Sequence, residues 1–157
     1  MRDKIDNTIK YILVALMIIL VLDVVWQVFS RYILQSPSVF TSELAGFLLI
    51  WVSILGAAYA AGKKMHLSID ILPKWLSSTN ERRLSIFINL LIICFIVLVM
   101  IIGGGLLVYY SMAQTTPVLR IPMGYVYAIV PISGIIIIYY KCLDILSAFQ
   151  VSSQNKQ

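Results

Sequence analysis

Four long apolar runs divide the chain, at about 11–29, 44–61, 86–110 and 123–140, each bounded by charged or turn-forming residues. Each lies near the ~20 residues that carry a helix across ~30 Å of hydrocarbon at ~1.5 Å per residue. The fourth begins in earnest at Tyr125, with residues 122–124 as its extension. Within a bilayer the backbone must satisfy its own hydrogen bonds, which predicts helices and not strands. The pattern therefore predicts an all-α integral membrane protein: one four-helix domain over residues 1–150 and a disordered tail at 151–157. The third run, at ~25 residues, is long enough to tilt.

Positive charge is spread unevenly between the connecting segments. Arg2, Lys4 and Lys10 precede the first run, Lys63, Lys64, Lys74, Arg82 and Arg83 separate the second from the third, and Lys141 and Lys156 follow the fourth. Of the twelve Lys and Arg, only Arg31 and Arg120 fall in the other two loops. Basic loops stay on the cytoplasmic side, so both termini and the central loop are expected inside. Composition agrees: 61% hydrophobic and 12% charged is too apolar for an ordinary soluble domain. The net charge of +5 is this inward bias, and it points to a membrane surface and not to nucleic acid. The first run resembles a signal peptide, but it is long, and the stretch from Asp23 to Gln27 offers no small-residue cleavage site. It is expected to be retained. Cys94 within the third span and Cys142 at the inner end of the fourth predict reduced thiols, with neither a disulfide nor a metal site.

The central loop mixes apolar and charged residues over 66–76. That mixture predicts a short amphipathic arm helix lying in the interface between spans 2 and 3, with Trp75 among the headgroups. Lys63, Lys64 and Lys74 are then placed to contact phospholipid, and His66 to hydrogen-bond Asp70 four residues on. Ser78 and Glu81 have the spacing of a capping box, predicting a helix from about Thr79.

Polar groups inside apolar spans are costly, so each needs a reason. Asp23, Gln27 and Arg31 are spaced i, i+4, i+8 along the first run, toward its outer end. Glu43 opens the second run at the same outer level, where the helix dipole favours a carboxylate, and is the expected partner of Arg31. Asp23 has two readings: a coupling-ion or proton site, or a structural acid satisfied by Gln27 or by a partner subunit. Arg31 and Glu43 either staple the first hairpin or staple it and dock a partner as well. Gly103, Gly104, Gly105, Gly46, Ser53, Gly56 and Ala57 supply small surfaces for close helix packing. Trp51, alone among most of the aromatics in sitting mid-span, is read as core packing. No nucleophile, base and orienting group come together, and Gly103–Gly105 is followed by no Lys-Ser/Thr. An enzyme is not expected.

One ordered set of short motifs is more specific. Phe29-Ser30-Arg31-Tyr32 is followed by Ser42-Glu43-Leu44-Ala45, Trp51, Gly56-Ala57-Ala58 and His66-Leu67-Ser68-Ile69-Asp70. A second set is Pro117-Val118-Leu119-Arg120-Ile121-Pro122, Tyr127 and Pro131-Ile132-Ser133-Gly134. From about Ile9 to Ala148 the chain resembles the DctQ-type small membrane subunit of the tripartite ATP-independent periplasmic (TRAP) transporters. Phe40 stands where that family usually has Trp, and Ser42 where it often has a second acid, which leaves Glu43 alone.

The resemblance implies a scaffold subunit in the bacterial inner membrane. Its partners would be a large multi-span subunit that holds the sodium and substrate sites and a soluble periplasmic substrate-binding protein. The cargo would be an organic acid, such as a C4-dicarboxylate or sialic acid, and no cofactor is implied for this chain. Arg31, Glu43, Pro117, Arg120 and Pro122 would form the outer docking edge. Two other expectations stay open: a self-sufficient homodimeric carrier using Asp23 for proton coupling, and a membrane assembly or anchoring factor.

Overall fold

The computed structural model describes residues 2–63 and 78–154. The arm, with Lys64, His66, Asp70, Lys74 and Trp75, lies outside the described residues. Helix α1 is Arg2–Tyr32 and α2 is Val39–Gly62. Helix α3, Ser78–Ile96, runs into a π-helical segment, Val97–Gly103, and continues as α4, Gly104–Ser111. A short α5, Met123–Tyr127, precedes α6, Ile129–Gln154. Among the described residues there is no strand, only an isolated antiparallel bridge between Thr115 and Pro122. Among the described residues, four helical stretches are long and apolar enough to cross a membrane: Lys4–Tyr32, Val39–Gly62, Phe87–Ser111 and Met123–Ile145.

One expectation differs from what is seen. Helix α6 runs on to Gln154, so the chain is still helical through 151–154, where a disordered tail was expected. The third span is not a uniform α-helix, because it widens into the π segment ahead of its glycine run. That segment packs on α6, where Gly134 brings the backbone against the Cβ of Met100.

The spans lie in a row, in the order first, second, fourth, third, and not as a closed square. Helix α1 lies along α2 through one narrow stripe: Asp6, Ile9, Leu13, Leu16, Leu20, Asp23, Gln27 and Ser30 are buried or half-buried, and the residues between them are exposed. That spacing of three and four is a heptad seam. Only 6% of the first span is buried within the chain, against 33% of the fourth. Ile9, Leu55, Ile129 and Tyr140 form the buried core, which runs from mid-span toward the end of the bundle that carries the chain termini.

At that terminal end three helices are tied together. Tyr140, fully buried, donates its hydroxyl to Asp6 Oδ1 at 2.5 Å, and Lys63 Nζ lies 2.8 Å from Asp6 Oδ2. The Tyr140 ring lies against Gly62 so closely that a Cβ there would overlap it. Lys63 therefore turns to Asp6, where the sequence placed it toward headgroups.

The fourth span is interrupted at Ala128, between α5 and α6. Pro131 has no N–H to give the preceding turn, so a break is expected there. Trp51 on α2 donates its indole N–H to the carbonyl of Val126 at 3.0 Å, satisfying an acceptor beside the break. Trp51 is thus more than packing. Trp51→Phe keeps an aromatic side chain but loses this bond and the pyrrole part of the indole, and is expected to lower stability by at least about 1 kcal/mol, read as a drop in the detergent-solubilised unfolding temperature. An unchanged temperature would show that the break holds itself.

Candidate functional site

A second set of polar groups, Asp23, Gln27, Ser30, Thr41 and Glu43, lies toward the end opposite the termini. The first connection turns tightly after Tyr32, with Ser36 donating its N–H to Ser30 O at 3.1 Å and Gln35 at φ 51°. The second connection is a folded hairpin. Thr116 N–H donates to Ile121 O at 3.0 Å, Met123 N–H to Gln114 O at 2.8 Å, and Ile121 N–H to the Thr116 hydroxyl at 3.1 Å. Arg120 sits in the left-handed region at φ 53°, and Pro122 caps α5.

Glu43 links the two connections. Its Oε2 accepts the backbone N–H of Leu119 at 2.7 Å. The expected Arg31–Glu43 pair is not formed: Arg31 is exposed, and among the described residues it has no ion pair. Eight residues of α-helix turn a side chain about 80° off its starting face. Ser30, not Arg31, therefore continues the seam from Asp23 and Gln27, and it is 2% exposed. Arg120 is exposed as well. The rim thus presents two cations, while its single acid is engaged by a backbone donor. Pro117 is exposed beside Arg120 on the hairpin.

Deeper on α1, Gln27 donates from Nε2 to the Ser42 hydroxyl in a short contact. It is not turned to Asp23. Asp23 is 9% exposed, and its Oδ2 is buried with no hydrogen-bond partner. Among the described residues, no three of His, Cys, Asp and Glu come together as metal ligands. Cys94 and Cys142 are free thiols. Among the described residues the arrangement offers surfaces for binding.

Residues 12–151 match the model of the family described as "Tripartite ATP-independent periplasmic transporters, DctQ component". The chain belongs to this family. A DctQ component is the small permease part of a three-part transporter, so the chain is a transporter component of the inner membrane and not an enzyme. It is 26% identical to the "Sialic acid TRAP transporter small permease protein SiaQ" of Vibrio cholerae, over 96% of this chain and 87% of that one. A TRAP transporter small permease protein of Haemophilus influenzae is 24% identical, with 85% and 82% covered. The "Sialic acid TRAP transporter permease protein SiaT" of Haemophilus influenzae is 25% identical over 72% of this chain, but the matched stretch is only 18% of that protein.

Proposed function

We propose that this DctQ component is the static scaffold subunit of a sodium-coupled importer of an organic acid. The observation that carries the reading is the open row of spans. With 6% of the first span buried by its own chain, most of that helix is apolar surface for lipid and for a larger membrane partner. The spans hold one acid at depth, Asp23, too few ionisable groups for a proton relay of their own. Sodium and substrate sites therefore belong to a large multi-span subunit, and this chain widens the part that stays fixed. The SiaT relative supports such a partner, because its counterpart of this chain is joined to a much longer sequence. The cargo class is an organic acid; the names of two relatives, which give sialic acid, support that class.

The termini and central loop face the cytoplasm, as the charge bias favours, and the Arg31–Arg120 rim faces out. There a soluble periplasmic substrate-binding protein docks, meeting Arg31, Arg120, Pro117 and Pro122, with Glu43 holding the hairpin in place. At the inner interface the segment that carries Lys64, His66, Asp70, Lys74 and Trp75 contacts phospholipid.

Uptake of labelled organic acid by cells lacking the chain, complemented with variants, tests the reading. Arg31→Glu is expected to reduce uptake by about tenfold with the chain still inserted, since exposed rim charges act chiefly on encounter. Wild-type uptake in that variant would remove the docking role. Uptake indifferent to collapse of the sodium gradient would contradict the coupling.

A further inference from the structure

The third span and α6 meet along a seam with a fixed register. Gly134 on α6 lies so close to the third span that a Cβ there would stand 2.9 Å from Met100 Cβ and 3.5 Å from Ile96 Cγ2. The two helices run in opposite directions, so a step back on α3 and a step forward on α6 both lead toward the end that carries the termini. One heptad, about 10 Å of helix, brings nearly the same faces together again. That step turns the Ile96–Gly134 contact into Asn89 and Lys141. Burial follows the same phase. Asn89, Ile92, Ile93 and Ile96 are buried or half-buried, while Leu90, Leu91, Cys94 and Phe95 are exposed.

Two polar groups thus share one level of an apolar seam. Lys141 is 6% exposed, yet among the described residues it makes no hydrogen bond and no ion pair. The enclosed side-chain atoms that lack a partner there are Asp23 Oδ2, Ser38 Oγ and Ser133 Oγ. Lys141 Nζ is not one of them, so its stem is buried and its ammonium reaches the surface. The Asn89 side chain likewise makes no hydrogen bond among the described residues. Asp144, three residues beyond Lys141, makes no ion pair with it and is itself engaged. The level is that of lipid headgroups: Asn89 is two residues inside the third span, which starts at Phe87, and Lys141 is four short of Ile145, where the fourth ends.

We propose that the α3–α6 seam at Asn89 and Lys141 binds the phosphate of an anionic phospholipid in the leaflet at the terminal end. Lys141 Nζ and Asn89 Nδ2 both donate to phosphate oxygens, and the lysine bond is charge-assisted. Basic pockets between spans hold lipid headgroups in this way. Leu90 on α3 and Ile135 on α6, 60% and 62% exposed, lie beside the seam for the acyl chains to cover. A zwitterionic headgroup would bring a second cation near Lys141, which favours an anionic one. The site requires only that the chain spans a membrane. It stands apart from the large-subunit reading and from the lysines of the central loop.

The test is native mass spectrometry of the full chain, delipidated in mild detergent with whatever partner it retains. It is titrated with dioleoyl phosphatidylglycerol or dioleoyl phosphatidylcholine. Wild type is expected to bind one phosphatidylglycerol more tightly than phosphatidylcholine. Lys141→Gln is expected to weaken phosphatidylglycerol about fivefold, the equivalent of the ~1 kcal/mol that one basic residue contributes against anionic lipid. Asn89→Leu keeps the seam apolar and is expected to weaken it about twofold. Lys10→Gln removes an exposed charge near the same end and is expected to bind as wild type does. No preference in the wild-type chain overturns the proposal without any variant. Wild-type affinity in either seam variant overturns the site, even if Lys141→Gln loses the large subunit, which would assign the lysine to a partner's acid. Equal loss with Lys10→Gln would mean bulk charge and overturns it as well. Displacement of the lipid by millimolar inorganic phosphate would mark a site for free oxyanions and overturn the choice of lipid.

Discussion

Asp6→Leu is expected to destabilise the chain by about 3 kcal/mol, the low end for breaking a buried ion pair. Asp6 is 5% exposed and accepts from both Tyr140 and Lys63, so one substitution unties α1, α2 and α6 together. The Lys63 side chain is 42% exposed and can rehydrate, which keeps the cost from rising further. Tyr140 cannot, because its side chain is enclosed against Gly62. Asp6→Asn keeps an oxygen for the Tyr140 hydroxyl and loses only the charge, so roughly half the effect is expected. Thermal unfolding of the two variants in the same detergent separates the contributions. Equal unfolding temperatures for wild type and Asp6→Leu would show that the helix ends are held by apolar packing alone.

Glu43→Ala carries the second large effect, at the opposite end. The bond from Leu119 N–H to a carboxylate is charge-assisted, and losing it costs about 2 kcal/mol. The hairpin that carries Pro117, Arg120 and Pro122 would then open more often. Hydrogen exchange at the Leu119 amide reads this directly, with roughly 30-fold faster exchange expected for that free energy. Uptake should fall with it, since Glu43 sets where Arg120 and the two prolines present themselves. Unchanged exchange would mean that the Thr116–Ile121 and Gln114–Met123 bonds already fix the loop.

The four spans were legible because a bilayer leaves a chain little choice. Every long apolar run must be a helix, and no tertiary context overrides that. The pairing of polar groups was less legible, for a physical reason. Matching Arg31 to Glu43 used opposite charge and equal depth, but a backbone donor carries no signature in side-chain type, and Leu119 N–H reached Glu43 first. A step of eight residues reads as one face in a list, yet it drifts about 80° on a helix. Ser30 is therefore inside and Arg31 outside. The Asp6–Lys63–Tyr140 link joins residues from three distant parts of the sequence, none of them remarkable in type. Trp51 could have been anticipated. A mid-span indole N–H needs an acceptor, and Pro131 announces a helix break.

The row of spans also orders the functional argument. A chain that leaves most of its first helix uncovered, keeps one acid unanswered in the membrane and shows two unpaired arginines at one rim is shaped to be completed by other proteins.

The measurement that tests this most directly is affinity purification of the tagged chain from its native membranes in mild detergent, with mass spectrometry of what accompanies it. The account predicts a large multi-span membrane protein in stoichiometric amount. A chain that arrives alone or only as a homodimer, and that transports an organic acid by itself in liposomes, would contradict it.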